Sequence, residues 1–557
     1  MSECYEKMVD AYFEKPSRLR TWSDFDIKTT YTPEDVSHLN YKKDIADPGK
    51  YPYTRGIHED MYRGKYWTRR EVCGYGSPAD TNERFKYLVE HGQAGLDVIF
   101  DIPTMTGIDA DHPRVEDDVG IQGTSLPTLK DMELLMEGIP LDRVSASLVI
   151  TSYAAPVILA QYIALAQNQN IDISKLRGTI QNDPLHHRFC GYPPSMSPLE
   201  LSLKMAVDII EYCTKNMLMW YPMNINAYDL RENGINAPQE IGFSFAMAIT
   251  YIEGALRRGL AIDEFAPRLA FYCSSHIDFF EEIAKLRAAR RLWAKMMKER
   301  FKAKDPRSLK FRFGVHTAGC SLVPQQPLNN IIRVAYEALA AVLAGVQSLH
   351  CCSYDEPIGL PTETAHQIAL RTQQILAYET GVANTTDPLG GSYYLEYLTD
   401  KIVDEAEKIL DEIEGRGGMF KAIQSGWVTA EIEKAAYKYQ KEIKDRERLV
   451  VGMNTFQIPP EEETAVEVHR VSHESVKEQI ENLKILKKNR DNAKVKKSLD
   501  AMRRAAEKGE KENLIPPIIE AVKTYASIGE IIGTVREVYG LSYDPLGVIQ
   551  SGIAHFA

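Results

Sequence analysis

Residues 268–352 read, in order, RLAFYCS (268–274), FFEEIAKLRAARRLWAKMMKERF (279–301), FRFGVHT (311–317), PLNNIIRVAYEALAAVLAG (327–345) and VQSLHCC (346–352). Short runs rich in β-branched and aromatic residues alternate with longer segments whose apolar residues recur at helical spacing after a Pro or Asp start signal. Strand, helix, strand is the repeating unit of a parallel sheet. The alternation extends upstream through GLDVIFD (95–101), VSASLVI (144–150), LRGTIQ (176–181) and MNINAYD (223–229), with LPTLKDMELLMEGI and PLELSLKMAVDIIEYCTKN as helical spacers. Downstream, GVANTTD (381–387) reads as one more run. Eight such runs close a (β/α)8 TIM barrel, the expected α/β fold; a doubly wound open sheet is the structural rival.

Several runs end in residues poor for a core and good for chemistry: Asp101, Gln181 with Asn182 and Asp183, Tyr228 with Asp229, His316 and His350. In a parallel barrel these ends form the mouth where active sites sit. Asp101 and Asp183, taken singly, also read as helix caps. Ser145, Ser147, Thr179, Asn224, Asn226 and Ser348 occupy strand positions where a packed barrel would carry Val or Leu. They suggest an interior shaped for a polar ligand, unless they alternate onto the helix-facing side.

The 557 residues, 44% hydrophobic and 26% charged, describe an ordinary globular chain, and a net charge of −12 argues against general binding to nucleic acid or anionic membranes. The N-terminus lacks the succession of a signal peptide, and no apolar run could span a bilayer. Eight scattered cysteines without a C-x-x-C pair make a disulfide framework improbable, so a cytoplasmic location is expected. Neither a Walker sequence nor a strand followed by G-x-G-x-x-G is present. The GGSYY segment at Gly390 and RGG at Arg416 read as turns. His469 and His473 could share a helix face but lack a third ligand, so no metal site is expected in this chain. His186 and His187 are consecutive, a spacing that usually sends side chains apart. Beyond residue 400 the pattern is mostly helical, and the charged stretch 474–513 reads as a solvated connector or partner-facing surface.

The segment 51–113, YPYTRGIHEDMYRGKYWTRREVCGYGSPADTNERFKYLVEHGQAGLDVIFDIPTMTGIDADHP, resembles the entry segment and first strand of the methylmalonyl-CoA mutase family, which includes isobutyryl-CoA and 2-hydroxyisobutyryl-CoA mutases. GTIQND, EFAPRLAF, FFEEIAKLRAARRLWAKMMKERF, QSLHCCSYDE, ALRTQQIL and DPLGGSYYLE follow collinearly, so the resemblance runs from about residue 25 to 455. It implies an adenosylcobalamin-dependent isomerase in which the pantetheine arm of CoA threads the barrel and cobalamin lies over the strand ends. Radical abstraction of a substrate hydrogen then lets the thioester carbonyl migrate to the neighbouring carbon. The implied layout is an arm over 1–70 with partner and CoA contacts, an acyl-CoA-binding barrel over 71–400, and a helical, partner-docking region over 401–557.

Carried over by position, Met61, Lys65, Thr68, Arg70, Arg268 and Ser348 fall among CoA contacts. His316, Gln347, His350 and Glu356 fall toward the cofactor, Glu356 near the adenosyl ribose. Gln181 matches a glutamine beside the acyl group, with Thr179 nearby on the same strand, and Tyr228 matches the tyrosine before the family's carbonyl-binding histidine; with Asp229 they are the catalytic residues the resemblance implies. The family's carbonyl-binding histidine is replaced by Asp229, which as a carboxylate only accepts hydrogen bonds; it could bind a polar substrate group or orient a histidine such as His316. Where relatives read H-x-Q-T, this chain reads Gly314–Val315–His316–Thr317.

Val72 stands where relatives carry a tyrosine, phenylalanine or isoleucine, which leaves room for a bulky acyl substituent. Ile99 replaces the aspartate that meets the hydroxyl in the hydroxyisobutyryl enzyme, and a buried apolar side chain would leave that hydroxyl unpaired. Asp97 replaces a serine. The loop NDPLHHRFCGYPPSM is shorter than in relatives and loses the carboxylate-binding arginine, for which His186, His187 or Arg188 could substitute. These differences suggest a bulky substituted acyl-CoA, such as an aryl- or alkyl-substituted malonyl- or succinyl-CoA, (aminobenzyl)malonyl-CoA among them. Pivalyl-, isobutyryl- or methylmalonyl-CoA are the alternatives, and a noncatalytic acyl-CoA-binding subunit is a further one. The family's D-x-H-x-x-G cobalt-ligand motif does not occur, so the ligand is expected from a small cobalamin-binding subunit, in a heterotetramer of two large and two small chains.

Overall fold

The structure, a computed structural model, describes residues 19–189, 196, 198–467 and 469–549. Residues 1–18 of the arm and 190–195 of the loop after Gln181 lie outside the described residues. The strands are β1 (Thr68–Arg70), β2 (Val72–Cys73), β3 (Leu96–Ile99), β4 (Ser145–Val149), β5 (Arg177–Gln181), β6 (Trp220–Tyr221), β7 (Met223–Asn226), β8 (Leu269–Ser275), β9 (Phe313–Thr317) and β10 (Ser348–His350). All pairs are parallel, in the orders β1-β10-β9-β8-β7 and β2-β3-β4-β5-β6.

Two single-residue breaks join these sheets into one ring. Only Glu71 separates β1 from β2, and only Pro222 separates β6 from β7. Proline has no N–H to give the ladder, and the Glu71 N–H is turned to the Gln93 side chain at 3.1 Å. The interrupted strand at 68–73 pairs with β10 through its first half and β3 through its second; that at 220–226 pairs with β5 and β8. Eight staves therefore close a barrel, and the open doubly wound sheet is excluded.

Seven of the eight expected runs form staves. GVANTTD (381–387) does not: it is a turn after the helix Glu363–Tyr378, and the first stave is 68–73, which opens inside the stretch read as arm. Gly381 takes a positive φ of 77°, which ends extended structure there. Asp387 is instead an anchor whose carboxylate meets the buried Arg287 and lies 2.9 Å from Arg55 Nε.

Strand parity settles which faces are inside. Leu96, Val98, Ala146, Leu148, Ile180, Val315 and Leu349 are at most 2% exposed and pack outward against the helices. Their alternates, among them Ser145, Val149, Thr179 and Ser348, are only half-buried and line the bore. The small polar strand residues thus face inward.

The helix Ala155–Asn168 is apolar on nearly every side and buried from Ala155 to Ala166. A helix greasy all round must be covered on both faces. The barrel covers one, and the C-terminal helix Ile515–Lys523 packs on the other. The charged stretch 474–513 is accordingly not the free connector expected from its composition. Val476 and Leu483 of the helix His473–Asn489 and Val495, Leu499 and Met502 of Asn492–Ala506 are buried; most of the charges point outward, but Lys487 turns in to Asp109 and Asp111 and Arg490 to Glu530. No helix among the described residues is long and apolar enough to cross a membrane.

Candidate active site

Backbone register assembles the expected acyl-group residues. Val72 pairs with Asp97, Asp97 with Ser147 and Ser147 with Thr179, one row across four staves. One step toward the mouth, Ile99, Val149 and Gln181 form the next inward row, and Gln181 Nε2 donates to Ser147 Oγ at 3.0 Å. Asp97 is 2% exposed, and burial pushes its carboxyl up to about 6 although the Arg70 guanidinium opposes the shift.

Arg70 reaches across the bore, donating to Ser348 Oγ at 3.2 Å, to Ser145 Oγ at 2.7 Å and to the Leu96 carbonyl. Thr68 and Ser348 are register partners nearer the amino-terminal end. Lys65 is exposed just before β1. Arg268 lies just before β8 at the same end, donating to the carbonyls of Leu218 and Glu264 at 3.1 and 2.9 Å. Met61 is the exception in this set: it is 7% exposed and packs between Gly56 of the arm and Gly345, just before β10.

At the mouth, His316 lies between two rings, with centroids 4.3 Å from Tyr228 and 3.9 Å from His350. Glu356 belongs here too. The bare face of Gly319 is ringed by three polar atoms: a Cβ built there would stand 3.1 Å from Glu232 Oε2, 3.1 Å from Glu356 Oε1 and 3.3 Å from the Tyr228 hydroxyl. Glu232 and Gly319 were missed in the sequence, although Glu232 follows Tyr228 by one helical turn and so shares its face. Tyr272 was missed as well; it shares inward parity with Ser274 on β8 and lies 5.7 Å from Tyr228 between ring centroids.

Four expectations are corrected. Gln347 is not at the mouth: it sits at the amino-terminal end of β10, where its side chain accepts from Phe313 N at 3.0 Å and donates to Gly345 O at 2.6 Å. Asp229 pairs with His186 rather than His316, Oδ2 lying 3.1 Å from His186 Nε2 and accepting from Asn226 Nδ2 at 2.9 Å. His186 and His187 do not diverge, because the 3-10 turn His186–Phe189 brings their centroids to 4.1 Å. His473 opens a helix while His469 precedes it in a bridge to Leu360, so the two share no helix face. Arg188 is half-buried, with Glu200 the carboxylate acting on it. The cap readings hold for Asp101, which accepts from Thr104 N at 3.0 Å, and for Asp183, which accepts from Leu185 N at 2.9 Å and Asn226 N at 3.0 Å.

The family model described as methylmalonyl-CoA mutase matches residues 20–541. The chain belongs to the methylmalonyl-CoA mutase family. This mutase is 42% identical to the 2-hydroxyisobutanoyl-CoA mutase large subunit of Aquincola tertiaricarbonis over 95% of the chain and 93% of the relative. It is 39% identical to the methylmalonyl-CoA mutase of Rhizobium meliloti (97% and 76%) and 40% identical to the mitochondrial enzyme of Homo sapiens (92% and 68%). It is therefore an acyl-CoA mutase of a family whose cofactor is adenosylcobalamin.

The mouth fits that cofactor's chemistry, a flat ring edged with neutral amides and carrying a ribose. Burial lowers His316 to about 4 and keeps it uncharged at neutral pH, and Glu232 with Glu356 offers paired acceptors for hydroxyls. Ligand-type atoms of His316, Cys352 and Glu356 lie within 4.8 Å of one another. His316 Nδ1 and the Cys352 thiol, however, both point to the Thr317 carbonyl, at 2.7 and 3.0 Å, and so act as donors in this arrangement.

These shifts set a pH dependence. Burial raises Glu232 from 4.5 to about 8 and Glu356 to about 7, so the stability they contribute is present at low pH and is lost as pH rises through 7 to 8. His316 and His366, lowered from 6.5 to about 4 and about 3, act oppositely: their contribution is complete above 6.5 and declines below it. The melting temperature of the chain should fall from pH 6.5 to 8.5. Glu232→Gln should flatten that fall, and an unchanged slope in the variant would refute the assignment.

Proposed function

We propose that this chain is the substrate-binding large subunit of a mutase that moves the thioester carbonyl between neighbouring carbons of a bulky, substituted acyl-CoA. Aryl- or alkyl-substituted malonyl- and succinyl-CoA esters fit this reading, (aminobenzyl)malonyl-CoA among them. The row of Val72, Asp97, Ser147 and Thr179 carries it: one small apolar side chain and one buried carboxylate face the same level of the bore.

CoA enters past Lys65, Arg268, Thr68 and Ser348, whose charge and hydroxyls suit phosphate and amide groups. Inside, Arg70 and the row of small polar residues offer hydrogen bonds to the pantetheine amides. Adenosylcobalamin, when bound, supplies the radical chemistry. The chain's part is to hold the acyl group and keep water out. Donation to the thioester carbonyl falls to the Gln181 amide and the Tyr228 hydroxyl, because Asp229 as a carboxylate only accepts. Burial raises Tyr228 far above its ordinary range, so it keeps its proton. Asp97 accepts from an amine or hydroxyl on the substituent, and Ile99 and Val72 surround the apolar remainder. Glu232 and Glu356 accept from the ribose hydroxyls. His186, His187 and Arg188 stand at the loop that replaces the family's carboxylate-binding arginine.

A separate small protein supplies the cobalt ligand. The relative named as a large subunit is matched over 93% of its length, which supports this reading. Equilibrium dialysis should show adenosylcobalamin retained by the chain together with a cobalamin-binding partner and not by the chain alone. Retention and turnover by the chain alone would sink the two-subunit reading.

A further inference from the structure

The two mouth histidines have partners that fix their protons. His316 Nδ1 lies 2.7 Å from the Thr317 carbonyl oxygen. A carbonyl oxygen only accepts, so Nδ1 carries the hydrogen and Nε2 the lone pair. His350 Nδ1 receives the Val72 backbone N–H at 2.9 Å. A backbone N–H only donates, so here Nδ1 carries the lone pair and Nε2 the hydrogen. The fully buried Glu71 carboxyl sets Oε2 3.4 Å from the same Nδ1 and takes a hydrogen bond from Gln373 Nε2 at 3.0 Å on its other oxygen; burial pushes it well above its ordinary range, so it keeps its own proton and demands none from Nδ1. That carboxyl therefore sits in a fixed place.

Neither arrangement depends on a mobile group. The Val72 N–H exists because the stave breaks at Glu71, and residue 72 resumes pairing on the other side, with β3. The Thr317 carbonyl is held in β9 and also receives the Cys352 thiol at 3.0 Å. The rings are register partners on adjacent staves, with centroids 3.9 Å apart and planes inclined by 48°. Rings that close lie over one another rather than end to end, so they cannot satisfy each other through an Nε2–H···Nε2 bond in the plane of both.

We infer that His316 and His350 are locked in opposite tautomers and together present one acceptor, His316 Nε2, and one donor, His350 Nε2–H, to a ligand group carrying both functions. A primary carboxamide is that group: its NH2 gives to His316 and its carbonyl takes from His350. The edge of a corrin ring bears such amides, so the ligand half of the inference rests on the cobalamin reading above. The tautomers themselves do not.

Two measurements test it separately. Solid-state 15N NMR of the histidine-labelled full chain at pH 7.5, assigned with His316→Phe and His350→Phe, should show His316 protonated at Nδ1 only and His350 at Nε2 only. Equal tautomers, or two protons on either ring, would overturn the inference and leave the proposed function standing. Equilibrium dialysis of the two-subunit complex should then show adenosylcobalamin bound roughly tenfold more weakly by either Phe variant, the loss expected when a polar partner is left unpaired. His316→Gln, which retains an acceptor, should recover most of that affinity. Opposite tautomers with unaltered affinity in both Phe variants would overturn the carboxamide assignment. Failure of the unmodified complex to retain adenosylcobalamin would instead refute the proposed function and, with it, the ligand half.

Discussion

Arg287→Met should destabilise the chain by about 3–5 kcal/mol, because it strands two buried carboxylates. The guanidinium is fully buried between Asp387 and Glu396, bonding the first and lying 2.5 Å from an oxygen of the second. Among the described residues, Asp387 would keep only Arg55, and Glu396 only the Gly391 N–H at 3.0 Å. Urea unfolding followed by tryptophan fluorescence measures the loss. A change below about 1 kcal/mol, the worth of an exposed pair, would show that the triad is not desolvated.

The same triad explains what the sequence hid. GVANTTD imitates a strand through one valine and two threonines, residues that favour extended backbone. Its actual task is set by Asp387, whose partners Arg287 and Arg55 lie far away in the chain, and no local pattern announces such a pair. The stave 68–73 was hidden for the opposite reason. TRREVC is polar because its inward residues line a bore rather than a packed core, and Glu71 interrupts the alternation. Where inward residues were small and outward ones aliphatic, as in VSASLVI, both strand and face were legible.

At the site, spacing alone sufficed for residues on one strand or one helical turn. Val72, Asp97 and Thr179 were recognisable from resemblance and fall into one row, and Glu232 was within reach of the i, i+4 rule. The partner of Asp229 was not legible. His186 reaches it from a 3-10 turn in a loop whose path depends on Asp183, itself fixed by Tyr251 and Asn226. Gln347 misled because it adjoins true bore residues; a short strand puts its first and last residues at opposite ends of the barrel.

Val72→Tyr should lower kcat/KM for bulky acyl-CoA esters at least about a hundredfold, toward the upper end of the range for a single misplaced methylene. The new ring would project from a half-buried position into the row that holds Asp97 and Thr179. Smaller acyl-CoA esters should lose far less. Stability should hold, because the side chain faces the bore while the backbone N–H keeps its bond to His350. Equal losses for large and small esters would mean that residue 72 supports the fold rather than the acyl group.

On the reading proposed above, this mutase rearranges a bulky substituted acyl-CoA. The most direct test of that reading supplies the chain, a cobalamin-binding partner and adenosylcobalamin with acyl-CoA esters labelled with 13C at the thioester carbonyl and the adjoining carbons. The 13C–13C couplings of the products show which carbon the carbonyl has joined. Migration should be faster with aryl- or alkyl-substituted malonyl- or succinyl-CoA than with methylmalonyl-CoA; methylmalonyl-CoA rearranging as fast as or faster than every bulky ester would rule out a bulky substrate.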